Sequence, residues 1–185
     1  MEHSASSSAV TDTGRISVKH VASALRQLQS MSLAQKSALI DIIYAEQPNL
    51  LASVLVQTKF GATEQTIELL LELLIVCHLS MRESGYEWPL ITEEEQERQL
   101  SRMVGAVRFS EELTDPRSTD AARHQYVLTH PEPALLALVM DRCNQWLADL
   151  AQRHAEQESD KYVMLAANNM VNCIAYAPVQ RRRAS

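Results

Sequence analysis

Glycine occurs only four times and proline six times in this 185-residue chain, and aromatic residues make up 5% of it. Turns between strands are built mostly from Gly, Pro, Asn and Asp, and strands favour aromatic and β-branched residues. The shortage argues against a sheet protein and also excludes classes of site. With glycines only at positions 14, 61, 85 and 105, the chain can form no Walker loop, no G-x-G-x-x-G turn and no G-x-S-x-G elbow. There is no HExxH, and no histidine stands in the Glu-x-x-His of helical di-iron sites. The best same-helix metal pair, His154 with Glu158, falls where a helix is ending and reads as a surface coincidence. No metal and no cofactor is expected.

Other absences bear on compartment and partners. Cys77, Cys143 and Cys173 stand apart in apolar surroundings with no CxxC pair, as suits a reducing cytosol. No secretory leader is visible, since His3 to Thr13 is Ser-rich and lacks an apolar run. The most apolar stretch, Ile67 to Leu79, contains Glu72 and His78 and is too short and too polar for a bilayer. A cytoplasmic chain with no membrane association is the expectation. Excess positive charge is missing too: the net charge is −6, and Arg181, Arg182 and Arg183 form the only basic cluster. Nucleic acid is therefore not an expected partner.

What remains is abundant in helix formers, with 46% hydrophobic residues. Ser17 can cap a first helix carrying Val18, Val21, Leu25 and Leu28. Ser32 and Gln35 form a capping box for a second, with Leu33, Leu39, Ile40, Ile42 and Ile43. Pro48 suits the first turn of a third, with Leu50, Leu51, Val54 and Leu55, and Gly61 supplies a left-handed stop. Thr63 opens a fourth helix and Gly85 closes it. An extended piece, Tyr86 to Ile91, leads to a capping box at Thr92 and Glu95. The fifth helix is predicted to bury Leu100, Met103, Val104 and Val107. A sixth spans about 119–129, a seventh about 133–155 and an eighth about 160–176. The fold class that follows is all-α: a compact multi-helix bundle of about eight helices with no sheet. Residues 1–15 read as a disordered N-terminal tail, 16–177 as the helical domain and 178–185 as a basic C-terminal tail.

Few residues suggest chemistry. Cys77 and His78 are adjacent, but neighbours on a helix point about 100° apart, so His78 reads as a core histidine with one hydrogen-bond partner. Asn168, Asn169 and Asn172 read as a solvated face of the last helix. An arginine followed after four to six residues by a histidine is similar to the motif of the HEPN ribonucleases. That motif sets both side chains at an RNA phosphate, where Arg holds the anion and His moves the proton of a 2′-hydroxyl. Arg15 to His20, Arg117 to His124 and Arg123 to His130 fit the spacing. With thirteen arginines and six histidines, roughly one such match arises by accident, so no family is assigned from it. A metal-independent ribonuclease using Arg123, His130, Arg117 and His124 stands as the alternative function, and a small-ligand-binding helical regulator as the third.

The preferred expectation is a non-catalytic interaction or regulatory module with a protein partner or a second copy of itself. Glu64, Glu68 and Glu72 share one side of the fourth helix, and one turn on the same side holds Ile75 and Leu79. The second half of that helix is apolar nearly all round and must be covered by this chain or another. Ile75 and Leu79, with Tyr86 and Trp88 on the linker, are the candidate partner-binding residues.

Overall fold

The computed structural model describes residues 14–111, 116–153 and 160–182. Among them are eight α-helices: α1 (Val18–Ser30), α2 (Leu33–Glu46), α3 (Pro48–Leu55), α4 (Glu64–Glu83), α5 (Glu93–Glu111), α6 (Pro116–Thr129), α7 (Pro133–Gln152) and α8 (Asp160–Tyr176). A 3-10 turn, Val56–Phe60, prolongs α3. The chain is the all-α bundle its composition predicts, with one addition. A short β1 (Tyr86–Glu87) pairs antiparallel with β2 (Gln180–Arg181), setting Tyr86 opposite Arg181. Among the described residues no single helix is long and apolar enough to cross a membrane.

Helix ends fall where local chemistry puts them. The hydroxyls of Ser17 and Ser32 each accept from the backbone N–H three residues on. The side chains of His20 and Gln35 return to the cap N–H groups, so His20 fills a role usually taken by Glu or Gln. Thr92 accepts from the Glu95 N–H, but the Glu95 carboxylate turns to Arg98 and Gln99, so this third box is only half formed. Gly61 closes the 3-10 turn at φ 86°, a left-handed conformation that costs glycine nothing.

The core is organised around α4, which packs against α1, α2, α3 and α8. Leu73 through Met81 are buried without interruption. Ile75 is 3% exposed and Leu79 7%, so the partner surface expected at these two residues is not open. A helix ringed by four others needs no polar face, and its apolar second half is core. Burial of this kind stabilises by about 1.5–3 kcal/mol per large side chain.

Elsewhere apolar residues expected inside lie outside. Val18, Ile42, Leu55 and Leu100 are exposed, as is Leu33. On α5, Met103 and Val104 are only half-buried, and among the described side chains the buried one is Gln99. The reason is that α5 meets α8 partly through polar groups: Asn169 Nδ2 donates to the Gln96 carbonyl, and within α5 the Gln99 amide donates to the Glu95 carboxylate.

Residues at the inner edge of each segment that the sequence assigns to a tail make contacts with the helices or the β bridge. Arg15 and Ile16 are docked on the helical body, and Gln180 to Arg182 are bound to the end of α4 through β1. Residues 1–13, 112–115 and 183–185 lie outside the described residues, as does the His154 and Glu158 pair. So do the side chains of Val107, Arg117 and Arg123.

Candidate functional site

Two polar assemblies meet at Trp88. The first is a buried network that fastens the segment before α1. Glu132 stands between two prolines, Pro131 and Pro133, in the turn from α6 to α7 and is fully buried. Such a carboxylate needs a partner for each oxygen. Its Oε1 accepts from Arg15 Nε at 2.6 Å, and its Oε2 accepts from the Ile16 N–H at 2.9 Å. The remaining Arg15 nitrogens donate to the carbonyls of Ile174, Ala175 and Ala177. α8 has no basic residue in its last turn, so Arg15 supplies from outside the donors and the positive charge that its open carbonyls favour. The face of the guanidinium covers Trp88, 4.8 Å from the ring centre.

The network continues through His130. Its Nδ1 accepts from the Glu132 N–H at 3.1 Å, which places the ring proton on Nε2, and Nε2 donates to Asn172 Oδ1 at 3.0 Å. Tyr126 donates its hydroxyl to the same oxygen at 2.9 Å. Burial holds the His130 pKa below its usual value, and the Asn172 and Glu132 contacts offset this in part. The imidazole is neutral with both nitrogens in use. These groups order the fold and present no free nucleophile or base.

The second assembly is a cleft of about 280 Å³ between the C-terminal ends of α2 and α4 and the β bridge. Glu46, His78, Met81, Arg82, Glu87, Trp88 and Arg182 line it together with Gln47. Gln47 is spent on structure, since its amide spans the Pro89 carbonyl and the Ile91 N–H. His78 differs: its side chain is 3% exposed, and its Nε2 has no hydrogen-bond partner. Glu46 Oε2 stands 3.5 Å away, long for a hydrogen bond. Burial lowers the His78 pKa, with Glu46 pulling it up and Arg82 pushing it down. His78 is thus the buried histidine that the sequence suggests, but its Nε2 lacks the hydrogen-bond partner expected for it.

Of the other sequence candidates, Trp88 folds back over the end of α4, donating Nε1 to the Met81 carbonyl at 3.1 Å. Tyr86 is half-buried in the β bridge. His124 is exposed on α6, whereas His130 is enclosed at its end. In the third arginine–histidine segment, Arg15 and His20 serve the network and a helix cap. Asn172 is buried, so the expected solvated face of α8 is part of the packing. Cys77, Cys143 and Cys173 are all buried. Among the described residues no group of three His, Cys, Asp or Glu side chains could hold a metal ion.

The sequence reading missed Glu132 and the outer side of α2. A glutamate between two prolines was a usable signal, because neither flanking residue offers an N–H and the segment is stiff. On α2, the exposed residues Leu33, Ala34, Ala38, Ile42, Tyr44 and Ala45 outnumber the exposed polar ones, Gln35, Ser37, Asp41 and Glu46. No protein-family model matches this chain, and no curated protein or solved structure does either.

Proposed function

We propose that the chain is a non-catalytic helical interaction module that works by self-association through the outer side of α2. One observation carries this reading: Leu33 is 84% exposed and Tyr44 67% exposed on a helix with no polar stripe. At 100° per residue the two fall within about 20° of each other around the axis and about 16 Å apart along it. Of the small exposed residues of α2, Ser37 lies about 40° from that line, whereas Ala34, Ala38 and Ala45 lie about 100–140° from it. A second copy laid antiparallel would bring each Leu33 against the other chain's Tyr44, with Ser37 the small residue between them. Such self-complementarity is what a two-fold interface requires, and two large side chains this exposed on one line of a helix would be covered by it.

Light scattering coupled to size exclusion tests the idea at tens of micromolar protein. The expected result is a dimer that becomes a folded monomer when Leu33→Glu and Tyr44→Glu are combined. Ile75→Glu with Leu79→Glu should instead unfold the chain, because those side chains are core. A monomeric wild-type chain, or a dimer indifferent to the α2 changes, overturns the reading.

A further inference from the structure

We propose that the cleft around His78 is a binding site for a small zwitterion, a free amino acid with an apolar side chain. The lining divides by chemistry into three parts. At the His78 end, Glu46 Oε2 and His78 Nε2 stand 3.5 Å apart, and neither has a hydrogen-bond partner among the described residues. A carboxylate beside an imidazole nitrogen with no partner leaves hydrogen-bonding capacity unfilled at this end of the cleft. An ammonium supplies three donors, and the half-exposed Glu46 carboxylate is the acceptor open to it. The floor repels a bare anion, because Glu46 is already there.

The second part is cationic. Arg82 and Arg182 both border the cleft. Neither forms an ion pair with a carboxylate among the described residues. Arg182 is held in place by its backbone N–H on the Gly85 carbonyl and its Nη1 on the Arg82 carbonyl. A guanidinium so placed has donors left for a ligand carboxylate. With Glu87 the lining carries two charges of each sign, which favours a ligand that is neutral overall and carries both. The third part is the apolar wall of Met81 and Trp88, which suits an aliphatic or thioether side chain. At about 280 Å³ the space falls just below the usual range for small-molecule sites, which suits a ligand as small as an amino acid and not a nucleotide cofactor.

The chain has two tryptophans, so Trp146→Phe leaves Trp88 as the only indole reporter. Its fluorescence would be titrated with L-methionine and L-leucine. N-acetyl-L-methionine and L-methionine amide, each lacking one of the two charges, serve as comparisons. Saturable binding of a free amino acid is expected, weaker by at least about tenfold when either charge is capped. Glu46→Gln should reproduce the loss of the ammonium contact and Arg82→Gln that of the carboxylate contact. Both positions are exposed, and far-UV circular dichroism checks that the fold is kept. If Trp146→Phe does not fold, calorimetry on the unaltered chain reads the same titration. No saturable binding of either amino acid, equal binding of the capped compounds, or unchanged affinity in both variants overturns the proposal.

Discussion

Arg15 and Glu132 are 117 residues apart in the chain and joined at 2.6 Å through Nε and Oε1. The carboxylate is fully buried, whereas the guanidinium side chain keeps 22% exposure. Removing the arginine therefore costs more than removing the glutamate, because it leaves a buried charge with one N–H donor. Arg15→Ala is expected to lower unfolding stability by about 3 kcal/mol. In urea denaturation, the Arg15→Ala and Glu132→Gln double variant should lose less than the two single losses combined, with a coupling of about 1 kcal/mol or more. Additive losses would show that the pair does not act as a unit.

Gly14 is required by the same carboxylate. A Cβ at that position would come 2.6 Å from Glu132 Oε2 and 3.0 Å from the Pro131 carbonyl oxygen. Gly14→Ala must therefore push Glu132 off the Ile16 N–H, at a cost of about 1–3 kcal/mol. Protease resistance of the segment before α1 should fall in parallel. A variant as stable as the parent would mean the turn has room that the structure does not display.

Acid lability should begin in the histidine range. His78 and His130 have pKa values below the usual 6.5, with burial as the leading cause in each. Above that value both are neutral whether folded or unfolded, and their contribution is constant. As pH falls, the unfolded chain takes up protons first, so stability is lost from about pH 6.5 down through the folded values. The denaturation midpoint should drop between about pH 7.5 and about pH 5.5, before carboxylates titrate. His130→Gln and His78→Gln should each flatten that slope while lowering stability at the upper pH. A flat profile across this interval in the parent chain would contradict the assignment.

The cysteines should be silent while the chain is folded. Burial pushes Cys77 up to about 12, Cys143 to about 11 and Cys173 to about 12. The thiolate is the reactive species, so an aromatic disulfide reagent should label none of the three at neutral pH without denaturant and all three with it. Rapid native labelling of Cys77 would mean that the second half of α4 opens readily.

Much of the fold was legible because helix boundaries are local events. Ser17, Ser32, Pro48, Gly61 and Thr63 act on backbone within a turn of themselves, and each sits where the sequence put it. Burial was less legible. Leu33 and Ile42 carry the same apolar character as Leu39 and Ile43, and periodicity cannot say which side of an apolar helix meets the core. The same limit left Ile75 and Leu79 undecided between core and interface until the neighbours of α4 were in place. The candidate sites were the least legible part, since they join Glu46 with His78 and Arg15 with Glu132 across the chain. Neither pair has a spacing that marks it in advance.

Trp88 has a mechanical consequence. Arg15 lies on one face of its ring, and Arg182 borders the cleft that the same ring lines. Residues near the two ends of the described chain thus converge on one spot, each held by a short fastening. Tension applied between residues 15 and 182, as in an optical trap, would load the Arg15 contacts and the two-residue β bridge before it reached any helix. The first extension event should be small and occur at low force, releasing both end segments while α4 and its surrounding helices remain intact.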